Sequence, residues 1–187
     1  MRGTLSASSR LWEIPVSVGG GLFVSLGVVV EASFDDFYRR TRDACFRALV
    51  VVIRQSDEAG DLLAESYTRA WERWDHVGSH PAPSAWVMRT ALNLHRDRWR
   101  RRQLSARLGW LRQEVAPPEL PVDQGLLNAL HSLPRRQREV VALRVLLDYD
   151  TAQTSQVLGI SPGTVTTHLH RGLTTLRGAI VSREDLE

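Results

Sequence analysis

The residues whose types and spacing suggest a specific chemistry lie near the C-terminal end of the chain, from 151 to 177. Gly159, followed by Ser161 and Pro162, predicts the end of one helix, a short turn and the start of another. The outer face of the second helix offers hydrogen-bonding side chains, a cation and no carboxylate: Thr164, Thr167, His170 and Arg171, with His168 at its edge. Such a face has the chemistry to contact base edges in the major groove of DNA.

The alternative interpretation of this stretch is an ordinary helical hairpin with a solvated outer face. In either case the inner face of the second helix would consist of Val165, Leu169, Leu173 and Leu176, which recur at helical spacing. Asp150 is placed to cap the first helix. The ordered Gly, Ser and Pro and the absence of acid favour DNA binding.

Charge is unevenly distributed along the 187 residues. All 24 basic residues are Arg, and the net charge is +3. The segment from Arg96 to Arg112 contains seven Arg and one acid, whereas residues 123–187 contain seven residues of each sign. The basic surface expected of a nucleic-acid-binding protein is therefore predicted in the middle of the chain.

This basic segment belongs to a predicted helix that is capped by Ser84 and runs to about Arg102. One side is apolar, with Met88, Ala91, Leu92 and Trp99. The other side carries an aromatic ring, an amide and three guanidinium groups: Trp86, Arg89, Asn93, Arg96 and Arg100. These five side chains can stack a base, bond its edge and hold phosphates. Alternatively, Trp86 belongs to the core and the arginines are solvated.

A preceding helix, predicted from about residue 57 to 74 with Ser56 as its N-cap, has two stripes. The apolar stripe, expected to face a core, consists of Leu63, Tyr67, Ala70 and Trp74. The second stripe is acidic in a basic protein and consists of Asp61, Glu65, Thr68 and Glu72. It is either a solvated helix face or a docking surface for a basic partner.

Helical periodicity begins at Phe34, is lost after residue 103 and returns at Asp123. We therefore predict an all-α protein with two small helical domains, 34–103 and 123–180, a flexible proline-rich linker at 104–122 and a tail at 181–187. Cys45 is the only cysteine, so no internal disulfide or cysteine metal cluster can form, and we expect its thiol to be buried.

Residues 1–33 differ from the rest of the chain. Positions 14 to 30 are uncharged, which would suit a signal peptide or a marginal membrane span. Three consecutive glycines interrupt this run, which is short for a span and lacks a persuasive cleavage site. We therefore interpret residues 1–33 as a disordered extension, for which a start codon assigned too early is one explanation.

Four segments resemble the bacterial RNA polymerase sigma factors of the extracytoplasmic-function (ECF) group, a sigma-70 family group, and the resemblance covers about residues 34–177. DLLAESYTRAWERWD (61–75) resembles the core-binding helix of region 2. SAWVMRTALNLHRDRWRRR (84–102) resembles the helix that opens and reads the minus-ten promoter element. LPRRQREVVALR (133–144) and LGISPGTVTTHLHRGLTTLR (158–177) resemble the region 4 module that reads the minus-thirty-five element.

The resemblance implies a subunit that binds core RNA polymerase on the clamp of its largest subunits and directs promoter-specific initiation. Core binding would involve Asp61, Glu65 and Arg69. Asn93 would help to hold a flipped non-template base, and Trp86 with the arginines on the same side of its helix would stabilise the melted strand. The residues facing the minus-thirty-five groove would be Thr164, Thr166, Thr167, His168, His170 and Arg171.

The resemblance also implies a cytoplasmic protein without catalytic residues, cofactor, metal or small-molecule substrate, with an anti-sigma factor as a further candidate partner. Ala64 departs from the usual Gln, and Thr154 and Ser155 depart from a usual Ile-Ala pair, where buried unpaired hydroxyls would be costly. Two rival interpretations stay open. One is a helix-turn-helix regulator that binds operators without polymerase, and the other is a membrane-associated interaction protein driven by residues 14–30.

Overall fold

The computed structural model describes residues 33–107 and 123–184, which are organised as helices without any strand. The first module contains α1 (Phe34–Ile53), α2 (Ser56–Trp71), α3 (Trp74–Val77) and α4 (Pro83–Arg107). The second contains α5 (Gln124–Ser132), α6 (Arg135–Val141), a π-helical segment (Ala142–Leu146), α7 (Thr151–Leu158) and α8 (Pro162–Glu184). The prediction of an all-α fold is confirmed. The predictions for residues 1–32, 108–122 and 185–187 lie outside the described residues.

The helix-turn-helix of α7 and α8 forms where its local sequence signals place it. Asp150 and Gln153 make a capping box at the start of α7. Gly159 ends α7 with a φ of 65°, in the left-handed region that favours glycine. Ser161 then accepts a hydrogen bond from the amide of Thr164 at 3.2 Å, which caps α8.

Two of the predicted caps are wrong by one or two positions. Ser56 is the first residue of α2 and not its cap; its side chain is buried, and its Oγ atom has no hydrogen-bond partner. Ser84 lies inside α4, because the helix already begins at Pro83, where proline loses no backbone hydrogen bond. The helix predicted to reach residue 74 ends at Trp71, and Trp74 begins α3.

The core of the first module lies between α1, α2 and α4, where Leu49, Leu62, Met88 and Leu92 are fully buried. A cluster of aromatic rings with centroid separations between 4.9 and 6.4 Å closes one end of this core and consists of Phe34, Phe37, Tyr38, Tyr67 and Trp74. Cys45 is 1% exposed, which confirms its predicted burial, and desolvation raises the pKa of its thiol to about 11.

In the second module, α8 packs closely against α6. A Cβ atom on Gly172 would lie 2.8 Å from Cγ2 of Val141, so this approach requires glycine in the middle of α8. Two residues assigned to apolar faces are largely exposed, Leu173 on α8 and Trp99 on α4. The helical spacing therefore predicts the apolar side of each helix, but it does not predict how exposed these two side chains are.

The two modules also pack on each other. The segments α5, α6 and the π-helical turn contact α1, and α7 contacts α4, so that the described residues belong to one compact unit. Among the described helices, none has the length and apolar character needed to cross a membrane.

Candidate functional site

The structure places the five predicted minus-ten residues along one side of α4, and we call them the α4 strip: Trp86, Arg89, Asn93, Arg96 and Arg100. Asn93 and Arg100 are exposed, whereas Trp86, Arg89 and Arg96 are half-buried. Nη1 of Arg96 donates to Oδ1 of Asn93 at 3.0 Å. Because the carbonyl oxygen of Asn93 is engaged in this way, its amide NH2 group points away as the donor that remains for a base edge.

Arg96 is a partly buried cation of the α4 strip. Its Nε and Nη2 atoms are buried without a hydrogen-bond partner. Burial lowers the pKa of Arg96; Glu139 on α6 acts against this, whereas Arg135 and Arg136 add to it. Arg96 therefore faces the charged side chains of α6 across the boundary between the modules.

Trp99 is a further candidate for base contact that the sequence prediction missed. Its ring is 49% exposed on α4, about one turn beyond Arg96, although the helical spacing predicts it on the apolar side. An exposed aromatic ring between guanidinium groups provides a surface on which a nucleobase can stack. The arginines on both sides of Trp99 in the sequence are the feature that could have indicated this role.

The acidic stripe of α2 is only partly open to a partner. Asp61 is exposed, but Glu65 accepts hydrogen bonds from Arg69 at 2.7 Å and from Arg98 of α4 at 3.0 Å. Near the start of the same helix, Glu58 pairs with Arg102. Glu58 and Glu65 therefore connect α2 to the basic helix α4.

Glu58, His95 and Arg102 form a half-buried charged cluster between α2 and α4. Burial alone would raise the pKa of Glu58, but the hydrogen bonds and charges of Arg102 and His95 outweigh it and hold that pKa below its usual value. Burial lowers the pKa of His95, against the opposing effect of Glu58. The 3.3 Å contact between Nδ1 of His95 and Oε1 of Glu58 is therefore a hydrogen bond of a neutral imidazole at neutral pH.

Trp71, at the end of α2, is another exposed aromatic residue that the prediction omitted. It is 64% exposed, and large aromatic side chains at such positions often dominate the energy of a protein interface. The sequence did contain a signal, because Ala70-Trp71 closes the segment that resembles the core-binding helix.

On α8, the predicted DNA-facing residues share the outer side of the helix. Thr166, Thr167, His170 and Arg171 are exposed, and Thr164 and His168 are half-buried. The hydroxyl groups of Thr166 and Thr167 donate to carbonyl oxygens one turn earlier, at 3.2 and 2.9 Å. Their oxygen lone pairs and methyl groups therefore remain for contact with DNA.

Thr154 and Ser155 of α7, which replace a usual Ile-Ala pair, have hydroxyl groups in different environments. Thr154 is fully buried, and its Oγ1 atom has no partner, as the sequence predicted for a costly position. Ser155, by contrast, donates its hydroxyl hydrogen to the carbonyl oxygen of Ile160 at 2.5 Å. Its polar group therefore helps to shape the turn before α8.

An arginine-rich helix with an exposed amide, followed by a helix-turn-helix, defines an all-helical nucleic-acid-binding protein with two modules. Residues 37–105 match the family profile Sigma-70 region 2, and residues 123–176 match Sigma-70, region 4. The chain is 31% identical over 171 residues to the RNA polymerase sigma-E factor of Streptomyces coelicolor, over 85% of this chain and 91% of that protein. It is 28% identical over 165 residues to the ECF RNA polymerase sigma factor SigW of Bacillus subtilis, over 79% of this chain and 88% of that protein.

Solved structures show the same fold. The sigma factor RpoE of Bartonella quintana, solved in complex with the anti-sigma factor NepR, superposes with a TM-score of 0.66 at 20% identity, over 80% of this chain and 97% of that one. CnrH, solved in complex with the cytosolic domain of CnrY, gives a TM-score of 0.56 at 22% identity, over 80% and 88% of the two chains.

The chain therefore belongs to the sigma-70 family of RNA polymerase sigma factors, in the ECF group. Its function is that of a sigma factor in transcription initiation, and the family consists of regulatory proteins. Neither of the two rival interpretations, a regulator acting without polymerase and a membrane-associated interaction protein, is favoured by these relatives.

Proposed function

We propose that this sigma factor contacts the melted minus-ten element through the α4 strip, with Asn93 at its centre. The observation that carries this proposal is the exposed Asn93 amide, whose carbonyl oxygen is fixed by Arg96 and whose NH2 donors remain available. Extruding a base from its stack costs a few kcal/mol, so the protein must supply specific contacts as well as charge. Arg89 and Arg100 lie on the same side of α4 as Asn93, and the exposed ring of Trp99 lies further along the helix; these groups are suited to phosphates and bases.

Core RNA polymerase would bind the outer side of α2, on the clamp of its largest subunits. Asp61 is exposed there, and the pair of Glu65 and Arg69 lies one turn further along the helix. We add Trp71 to this set, because its exposed ring gives the otherwise polar surface an apolar contact.

The minus-thirty-five element would be read by α8. Arg171 offers the guanidinium group for a guanine edge or a phosphate, and the threonine and histidine side chains offer shorter contacts. Because the second module has balanced charge, it lacks the excess of cations that drives binding to DNA alone. We therefore expect α8 to bind the promoter weakly unless polymerase holds it there.

The chain would act in the cytoplasm, without catalytic residues or a cofactor of its own, because polymerase forms the phosphodiester bonds. The two structural relatives were solved with protein partners: RpoE with the anti-sigma factor NepR, and CnrH with the cytosolic domain of CnrY. An anti-sigma protein is accordingly a candidate partner of this chain as well.

Transcription in vitro tests the proposal. Genomic fragments would be transcribed by core polymerase with and without the purified chain, and the 5′ ends of the transcripts would be mapped. We expect new start sites that depend on the chain. A set of fragments that the chain binds without core polymerase, with no new start site when polymerase is added, would instead support a regulator that uses only its helix-turn-helix.

A further inference from the structure

A recess lies between α1 and α2, and we call it the α1–α2 groove. Its floor consists of the buried side chains of Leu63 and Tyr67, and its walls include the half-buried rings of Tyr38 and Phe46. The hydroxyl group of Tyr67 is already hydrogen-bonded to that of Thr41, with 2.7 Å between the two oxygen atoms. The interior of the groove is therefore apolar and largely aromatic.

Two small residues of α2 keep the groove open. Gly60 lies within the helix, where glycine is less favourable than alanine. A Cβ atom on Gly60 would lie 3.8 Å from Cε2 of Phe46, which is an ordinary van der Waals distance, so the packing of α2 on α1 does not require glycine. Ala64, one turn later, is exposed at the rim of the groove. A larger side chain at Ala64 would lean towards the N-terminus of α2, back over Gly60.

The charged residues at the rim of the groove neutralise each other. Nη1 of Arg42 donates to Oδ1 of Asp43 at 3.2 Å, and the guanidinium carbon of Arg42 lies 6.0 Å from the centroid of the Tyr38 ring. A charged occupant would have to disturb this pair, whereas an apolar group would only displace water from apolar walls. The chemistry of the groove therefore favours an apolar occupant.

The size of the groove distinguishes a side chain from a free ligand. It encloses about 180 Å³, whereas pockets for drug-sized molecules enclose about 300–1,000 Å³. An apolar cavity of about 150 Å³ is large enough to hold a benzene ring. The groove is thus large enough for one Leu, Met or Phe side chain and too small for a typical ligand.

The groove is continuous with the surface of α2 that we assign to polymerase binding. Gly60, Ala64 and Trp71 recur at spacings of four and seven, which places them on one stripe, and Trp71 follows Ala64 by about 10 Å along the helix axis. Asp61 and Glu65 follow Gly60 and Ala64 on the adjoining stripe. Protein interfaces commonly combine such elements, an anchor side chain in an apolar pocket with polar groups around it. A partner that contacts both Asp61 and Trp71 would also cover the groove.

We propose that the α1–α2 groove receives one apolar side chain that projects from core RNA polymerase. The inference rests on the proposed function of α2, and it adds the chemical class of a polymerase residue to the charged contacts of Asp61 and Glu65. Salt screens the interactions of exposed charges, but it does not screen the burial of an apolar side chain. The groove therefore contributes the part of the affinity that persists at high ionic strength.

The test measures the Kd of full-length chains for core polymerase by biolayer interferometry. Ala64→Leu fills the groove from its rim and should weaken binding roughly thirtyfold, as the loss of an anchor contact does. Gly60→Ala adds one methyl group inside the groove and should weaken binding on the order of tenfold, the effect of one methyl group in a fitted pocket. Ala152→Leu, at an exposed position of α7, is the matched control and should bind as wild type does.

Thermal unfolding and salt separate occupation of the groove from other causes of weak binding. Because alanine is the better helix former, Gly60→Ala should raise Tm while it lowers affinity. Ala64→Leu should keep the wild-type circular dichroism spectrum, because leucine is also a good helix former. Raising NaCl from about 0.1 M to about 0.5 M should leave the Kd ratio of Ala64→Leu to wild type unchanged, and it should reduce the ratio for Asp61→Arg.

Wild-type affinity in both groove variants would overturn the proposal. Weaker binding of Ala64→Leu with wild-type binding of Gly60→Ala would also overturn it, because polymerase would then cover the rim without entering the groove. Self-association of the wild-type chain that is lost in Ala64→Leu, with unchanged polymerase binding, would make a second copy of the chain the occupant instead.

Asp61→Arg distinguishes failure of this inference from failure of the proposed function. Weak polymerase binding of Asp61→Arg, with wild-type binding of both groove variants, would overturn only the occupation of the groove. Weak binding of the groove variants, with wild-type binding of Asp61→Arg, would overturn only the charged contacts. Wild-type affinity in all three variants would overturn both assignments to α2.

Discussion

Arg98 of α4 donates a hydrogen bond to Glu65 of α2, with 3.0 Å between Nη2 and Oε2. The other carboxylate oxygen of Glu65 accepts from Arg69 at 2.7 Å. Glu65 therefore has a structural role inside the first module in addition to its proposed role in polymerase binding. Asp61 lies one turn earlier and is exposed, so a substitution there tests polymerase binding with less effect on the structure.

Asp61→Arg should weaken association with core polymerase with little effect on folding, because exposed substitutions usually change stability by about 0.5 kcal/mol or less. Glu65→Arg should weaken association and also lower Tm, because it places a third cation between Arg69 and Arg98. Co-elution with core polymerase and thermal unfolding measure the two effects. Asp35→Arg, the same charge change at the start of α1, is the control, and normal co-elution of Asp61→Arg would contradict the assignment.

Asn93→Ala should impair strand opening more than initial promoter binding. Removing one or two hydrogen bonds to an extruded base costs about 1–1.5 kcal/mol, which corresponds to roughly a tenfold loss of open complex. Permanganate footprinting reports unpaired thymines, and a gel-shift assay of the holoenzyme reports binding. Asn128→Ala, which changes an exposed asparagine on α5, should leave both signals unchanged. Undiminished permanganate reactivity in Asn93→Ala would remove Asn93 from the proposed site.

Thr154→Val should stabilise the second module. The substitution replaces a buried hydroxyl group that has no partner with a methyl group of similar size, which is worth about 1 kcal/mol, or about 2–4 °C in Tm for a chain of this length. Thr175→Val is the matched control, because that exposed hydroxyl donates to the carbonyl oxygen of Arg171 at 3.0 Å. Equal or lower stability of Thr154→Val would show that its hydroxyl group is satisfied in solution.

Stability should fall as the pH drops from about 7 to about 5. Burial lowers the pKa of both His95 and His131, and the positive charges of Arg54 and Arg138 add to the effect at His131. The unfolded chain therefore binds protons at a higher pH than the folded chain, so acid favours unfolding. Thermal unfolding across this range should show a flatter profile for a chain carrying His95→Gln and His131→Gln. An unchanged slope in that chain would assign the pH dependence to other groups.

The helix-turn-helix was predictable because each of its signals is local. Asp150 and Ser161 cap helices, and Gly159 ends one, through contacts within a few residues of their own positions. The spacing of the apolar residues can be seen without knowledge of how the helices pack. The directions of the strips on α2 and α4 followed from the same helical periodicity. The resemblance of whole segments then connected these strips to a function that no single residue specified.

The structural features that could not be predicted from the sequence depend on contacts between distant segments. The pairing of Glu65 with Arg98 joins residues 33 positions apart, and the 3.4 Å contact of His131 with the carbonyl oxygen of Val50 crosses between the modules. Trp99 was assigned to a core because periodicity reports the direction of a side chain but not the extent of the neighbouring element. Ser84 was assigned as a cap because Ser is a good cap in isolation, although Pro83 begins the helix.

Cys45 is the single thiol of the chain, and it is buried with a pKa raised to about 11. The reactive thiolate is therefore scarce at neutral pH and shielded from reagents. A cysteine introduced on the surface can consequently be labelled with a fluorophore or spin probe while the native residue stays in place. The protein thus lends itself to single-molecule distance measurements with its native interior intact.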